Sequence, residues 1–156
     1  MFALMQSTRT QSLHLFNDPA TGLKAVVAIH SEQLGPAMGG CRYLPYADDE
    51  SAMTDAIRLS QGISYKAALP CLPLAGGKAV IMRNPHVENR AALFEAFGRF
   101  IDTLHGRFII AVDSGTSTLD MDCIAQSTPH VTSTTASGDP SPHAAMGVFA
   151  GIRATT

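Results

Sequence analysis

Two lysines, one aspartate and two glycine pairs are the residues of this 156-residue chain whose types and placing could do chemistry. Lys66 follows Ser64-Tyr65, and Lys78 follows Ala75-Gly76-Gly77. The segment between them, Ala67-Ala68-Leu69-Pro70-Cys71-Leu72-Pro73-Leu74, carries no charge. Lysine is rarely placed among apolar residues without a partner. Burial disfavours its charged form, and so does a second ammonium nearby. Together they can lower a lysine from about 10.4 to roughly 7–8, the range in which it works as a general base at neutral pH. Such a pair can divide the labour, one lysine holding an anion and the other moving a proton. The alternative is that each lysine lays its stem on the surface and keeps its charge in water.

Asp113 closes an apolar stretch over residues 108–112. In α/β sheets, ligands sit beyond the carboxyl ends of strands, and a carboxylate there can exchange a proton with substrate. An aspartate followed by Ser114-Gly115 also suits a simple Asx turn. Gly39-Gly40 either brings bare backbone against a ligand or marks a bulge. Gly76-Gly77-Lys78 is not a phosphate loop, because Leu72 and Ala79 stand where a glycine and a hydroxyl residue are needed. No G-x-G-x-x-G dinucleotide fingerprint is present.

The elements that must position these groups follow from periodicity and breakers. Residues 12–16 and 23–30 read as strands around the turn-forming Asn17-Asp18-Pro19-Ala20-Thr21-Gly22. The apolar run Ala25-Val26-Val27-Ala28-Ile29 predicts a strand buried on both faces. A third strand is expected over 37–43 and a fourth over 78–82, after the glycine pair. The first helix is expected over 48–62, started by Asp48, Asp49 and Glu50. The second is expected over 88–105, burying Leu93, Phe97, Phe100, Ile101 and Leu104, with Gly106 ending it. A strand over 107–112, a short helix from Ser117 with Asp120 closing a capping box, and a last strand over 130–133 follow. A final helix begins near Pro142. The expected fold is an α/β layered sandwich: a central mixed, largely parallel sheet flanked by helices.

Composition narrows the function classes. A net charge of -2 without basic clusters argues against nucleic acid as a partner. No apolar run approaches a membrane span, and the first residues lack a signal-peptide pattern, so a cytoplasmic protein without membrane contacts is expected. The three cysteines form no C-x-x-C pair and read as reduced; Cys71 and Cys123 are expected to be packed thiols. The six histidines show no metal-ligand spacing or triad partner, so no metal site is expected and all six are taken as surface or structural.

The ordered segments LGPAMGGCRYLPY, LSQGISYKAA, LPLAGGKAVI, FGRFIDTLHGRFIIAVDSGT, LDMDCIA and SGDPSPHAAMGVFAGIRA resemble the leucine, phenylalanine and valine dehydrogenases, relatives of glutamate dehydrogenase, and leucine dehydrogenases most of all. The resemblance runs from about Leu13 to Ala154 and covers almost the whole chain. It implies reversible, NAD-dependent oxidative deamination of an L-amino acid to a 2-oxo acid and ammonia, in a homo-oligomer. By position it implies that Lys66 holds the substrate carboxylate beside Gly39 and Gly40. Lys78 becomes the base that activates water, and Asp113 handles the proton of the substrate amine. Met38, Ile63 and Ala111 would line the side-chain pocket.

The sequence departs from the family pattern at Ala75, where glycine is common, at Val112, where an acidic residue is common, and at Ile63, a frequent methionine position. The stretch between Val131 and Ser137 is short. A leucine-like substrate is expected. Glutamate is not, since no extra basic residue stands beside the pocket positions. The family carries a second, nucleotide-binding domain. Residues 1–141 are therefore expected to be the substrate-binding and oligomerisation domain, and 142–156 the start of the helix linking to a missing nucleotide domain. The residues that would bind the cofactor are then outside this chain, and the chain alone would be inactive. The alternative is a non-catalytic oligomerisation or amino-acid-binding module.

Overall fold

The computed structural model describes residues 1–155. Its elements are α1 (Phe2–Thr8), β1 (Ser12–Asp18), β2 (Leu23–Ile29), β3 (Ala37–Leu44), α2 (Asp49–Ala68), β4 (Ala75–Met82), α3 (Arg90–Asp102), β5 (Phe108–Val112), α4 (Thr118–Ala125) and α5 (Ser141–Thr155). The strands form one sheet in the order β1-β2-β4-β3-β5. β3 pairs in parallel with both β4 and β5, while β2 pairs antiparallel with β1 and β4. Four strands thus run one way and β2 the other, which is the mixed, largely parallel sandwich expected from the alternation of strands and helices.

Side chains alternate across a sheet, so each strand feeds two layers. In β2, Leu23, Ala25, Val27 and Ile29 pack with Leu93, Phe94, Phe97 and Ile101 of α3 and with Met121 and Ile124 of α4. Val26 and Ala28 face the other way and pack with Val80 and with Ala52, Ala56 and Ile57 of α2. That is why the apolar run has no polar face. α2 lies over β4 and β2 and barely touches β3. The α2-side face of β3 and β5 therefore stays open beside the helix, and a cleft results.

Several boundaries differ from the sequence reading, each for a packing reason. α2 runs six residues past Gly62, because its second half is glued to β4. Lys66 therefore sits on the last helical turn, beyond the expected helix end. β4 begins at Ala75, so Gly76-Gly77 lie inside the strand. A Cβ on Gly76 would fall 2.2 Å from the Ser60 carbonyl of α2, and one on Gly77 would fall 2.6 Å from the Phe108 ring on the opposite face. These glycines let helix and sheet approach. The expected strand over 130–133 is a single bridge between Ile110 and Val131. α3 ends at Asp102, and a turn with positive φ at His105 and Gly106 leads into β5. α1 had no readable signal; it is seven residues long and buries only Thr8. Cys71 is exposed rather than packed, held at φ 57 in the loop between α2 and β4. α5 starts at Ser141, as expected from Pro142, and buries no residue through Thr155. Thr156 lies outside the described residues. Among the described residues no helix is long and apolar enough to cross a membrane.

The loop after β5 is pinned from several sides. Asp120, 5% exposed, accepts from the Ser117 backbone N–H at 2.7 Å and from the Ser117 hydroxyl at 2.9 Å, the capping arrangement expected from sequence. Its two oxygens also take Arg90 Nε at 2.7 Å and Nη2 at 2.9 Å. Arg90 lies over the Tyr43 and Phe94 rings and donates to the Gly115 carbonyl. Asp120→Ala is expected to cost about 2–3 kcal/mol, because it removes charge-assisted hydrogen bonds and leaves their donors without an acceptor. Urea unfolding checks this, and an unchanged midpoint would mean the clamp is idle.

Candidate functional site

The cleft beside α2 is a cavity of about 310 Å³ lined by Met38, Gly39 and Gly40 of β3, Ile63, Lys66 and Ala67 of α2, Leu72, Leu74 and Ala75, and Ala111 of β5. All six residues expected to bind substrate are therefore brought to one hollow. Lys66 is exposed at its rim on the last turn of α2. The parallel register sets Gly40 against Ala111 and Met38 against Ile109, so one face of two neighbouring strands supplies the floor.

Lys78 and Asp113 do not line this cavity; Asp113 meets its floor at Gly40 and lines a neighbouring hollow with Thr116, Ser117 and Ser141. Lys78 comes from the middle of β4 and is 2% exposed, among the most buried large side chains of the protein. Its Nζ donates to Asp113 Oδ2. Asp113 follows the carboxyl end of β5. Its Oδ1 accepts from the Ser114 backbone N–H at 2.5 Å, and its own N–H donates to Thr116 Oγ1 at 2.9 Å. Thr116 is within bonding distance of the Cys41 carbonyl, and the Ser114 carbonyl accepts from Tyr43 N–H. Asp113 Oδ1 takes the N–H of the next residue rather than of the residue two on that an Asx turn would use, and the bonds to Ser114 and Thr116 are what aim the carboxylate. A Cβ on Gly40 would come within 2.7 Å of the Asp113 Cβ, so glycine there gives the aspartate its place.

Burial, the Arg42 guanidinium and the Lys66 ammonium push Lys78 down to about 8, with Asp55 pulling the other way. The second ammonium inferred from sequence is present, but the surroundings are not the uncharged ones expected, since Arg42, Asp55 and Asp113 also stand near Lys78; Lys66 is exposed and Lys78 is buried.

Arg42 is the group that reading the sequence missed. It stands two residues beyond Gly40 on the same strand face. Its Nη1 donates to Asp55 Oδ2 of α2 at 3.0 Å, and its Nε lies 3.7 Å from Asp113 Oδ1. Asp55 also accepts from Tyr46 Oη at 2.7 Å. The strand alternation Gly40-Arg42 was a visible signal, but Asp55 lies on another element and no local spacing points to it. The histidines stand apart from this group. His30, for one, braces α1, β2 and α2 through Thr8 and Ser64.

A mixed sheet with one face half covered, and charged side chains gathered where helix and strands part, is the frame of an amino acid dehydrogenase amino-terminal domain. The chain belongs to the Glu/Leu/Phe/Val dehydrogenase family, whose dimerisation domain matches residues 10–130. It is 44% identical to leucine dehydrogenase of Geobacillus stearothermophilus over 99% of its own length and 43% of that enzyme's. It is 48% identical over 134 residues to L-tryptophan dehydrogenase of Nostoc punctiforme, covering 85% of this chain and 37% of that one. The crystal structure of L-tryptophan dehydrogenase from Nostoc punctiforme superposes with a TM-score of 0.83 at 40% identity, over 99% of this chain and 44% of that chain. The chain thus spans less than half the length of these relatives.

Proposed function

We propose that this chain is the substrate-binding part of an NAD-dependent amino acid dehydrogenase acting on a leucine-like aliphatic L-amino acid. The buried Lys78 joined to Asp113, which packs against Gly40 of an apolar cavity's floor, is the observation that carries this reading. Lys66, at the rim, binds the substrate carboxylate and, with Gly39 and Gly40, orients Cα. Met38, Ile63 and Ala111 receive the side chain. Neutral Lys78 takes a proton from the water that adds to the substrate's imine carbon, and Asp113 exchanges the proton on the substrate nitrogen. A neutral amine also tolerates the positive charge of an iminium better than an ammonium would.

The described residues do not fit a dinucleotide. Gly76-Gly77 are packed against α2 and Phe108 rather than opening onto a helix start, and no other glycine-rich turn takes their place. We therefore assign NAD binding to protein beyond these residues, in keeping with relatives more than twice as long. Residues 1–141 act as the substrate and oligomerisation domain, and 142–156 begin a linking helix. The chain by itself is expected to be inactive. Homo-oligomerisation is supported by the family's dimerisation-domain description. A cytoplasmic setting is supported by three cysteines that form no disulfide.

The test is reduction of NAD by the protein carrying this chain, with L-leucine, L-valine, L-phenylalanine, L-tryptophan and L-glutamate compared by kcat/KM. Leucine or valine should lead; a preference for glutamate would sink the assignment. Lys66→Ala should raise KM about 10–100-fold with a smaller change in kcat, as expected for loss of one charged hydrogen bond.

A further inference from the structure

If Lys78 is the base, its partner poses a difficulty. A carboxylate bonded to an ammonium favours the protonated form, and a lysine that gives up its proton strands the carboxylate. We propose that Arg42 is a positioning residue that takes over the Asp113 carboxylate when Lys78 becomes neutral, so that the base can lose its proton to solvent without leaving Asp113 lacking a cation. This inference rests on the reading of Lys78 as the base.

Three observations place Arg42 in that role. Its Nε is buried and has no hydrogen-bond partner. A buried donor left without an acceptor is costly, and arginine keeps its proton at any working pH. That Nε lies 3.7 Å from Asp113 Oδ1, too far to bond and near enough for a small turn of the carboxylate to close. The far end of the guanidinium is anchored, since Nη1 is held by Asp55, which Tyr46 holds in turn. The two oxygens of Asp113 therefore face two different cations, Oδ2 toward Lys78 and Oδ1 toward Arg42.

The groups facing Lys78 are few. They are Asp113 from the loop after β5, Arg42 and Cys41 from β3, and Asp55 and Lys66 from α2. Burial holds the Cys41 thiol protonated, so it adds no charge. Tyr46, kept protonated by burial and by its bond to Asp55, adds none either. The balance around Lys78 is thus set by two cations and two carboxylates. A simple brace between β3 and α2 would use the Arg42–Asp55 bond and would have no need of a free Nε aimed at Asp113.

The experiment is a pH titration of the 156-residue chain by nuclear magnetic resonance, following the Lys78 side chain and the Arg42 Nε–H signal. Lys78 should titrate near 8. The Arg42 Nε–H resonance should move downfield with the same midpoint and stay still in Asp113→Asn. Arg42→Met should raise the Lys78 midpoint by about one pH unit, since it removes a neighbouring cation. Arg42→Lys should return it most of the way, and Asp55→Asn should lower it. An Arg42 signal indifferent to pH across the Lys78 midpoint overturns the proposal. So does an Asp55→Asn midpoint that is unmoved or raised, a reading that stands even if Arg42→Met fails to fold. None of these measurements needs turnover. A Lys78→Ala variant that keeps its rate would refute the base assignment separately.

Discussion

Lys78→Ala is expected to lower kcat for deamination by about 10²–10⁴-fold, the usual worth of a placed general base, with KM changed far less. The asymmetry follows from geometry. The exposed Lys66 at the cavity rim is placed to bind the carboxylate, whereas Lys78 is buried and bonded to Asp113. The pH profile carries the sign. Wild-type kcat/KM should rise as pH rises through about 8, because the neutral amine is the working form and Lys78 is pushed down to about 8 by burial and by Arg42 and Lys66. That limb should vanish in Lys78→Ala. Lys78→Arg keeps a cation against Asp113 but cannot lose its proton. It should be as slow as the alanine variant. If Lys78→Arg retained most of the rate, the lysine would be an ion-pair partner and the base would have to be sought elsewhere. Steady-state kinetics from pH 6 to about 10 on the protein carrying this chain decides the matter.

Gly39→Ala should be the most damaging single change to the fold. A Cβ at that position would lie 1.8 Å from the Gly77 carbonyl oxygen and 3.3 Å from Ile63 Cδ1. The first of these is a backbone atom of the neighbouring parallel strand, in the middle of the sheet, and cannot swing aside. Relief requires β3 and β4 to separate. Overpacking of a tight core costs about 1–3 kcal/mol and sometimes more. A loss of about 3 kcal/mol or more is expected here, out of a typical total of roughly 5–15. Gly40→Ala offers the contrast. Its Cβ would meet Asp113 Cβ at 2.7 Å and Oδ2 at 2.8 Å, as well as the Val112 carbonyl at 2.8 Å. The aspartate can yield but the Val112 carbonyl of β5 cannot, so the protein should lose stability here too, by less because the backbone approach is 2.8 Å rather than 1.8 Å, and lose the Lys78–Asp113 bond as well. Denaturant unfolding of both variants, with the Lys78 titration for Gly40→Ala, separates the two effects. A Gly39→Ala protein that melts like wild type would mean that the β3–β4 spacing is not what the structure shows.

The two glycine pairs thus differ in use, which bears on how much could be read beforehand. Gly39-Gly40 had two readings, a bulge or a ligand floor. The structure keeps it in the strand without a register shift, paired to β5 but not to β4, with Gly39 sparing a neighbouring strand and Gly40 sparing Asp113. Gly76-Gly77 was read as a lead into a strand and is strand already, one glycine serving α2 and the other Phe108. In each case the residue type was legible and the neighbour that required it was not.

By itself, the sequence determined the order of the five strands and of α2 to α5, the doubly buried run 25–29, the α3 face and the Ser117–Asp120 cap, and its family resemblance named six of the ten residues that line the cavity. These follow from local period, local turn chemistry and ordered motifs, all of which are written within a few residues. Only the tertiary structure decided that α2 continues to Lys66, that α2 covers one half of a sheet face and leaves the other open, and that Lys78 is buried while Lys66 is exposed. It alone brought Arg42, Asp55 and Asp113 together from β3, α2 and the loop after β5. The physical reason is that burial and charge act through space. A lysine's proton affinity and a glycine's necessity depend on what the fold sets within a few ångströms of them, and those neighbours lie many residues away along the chain.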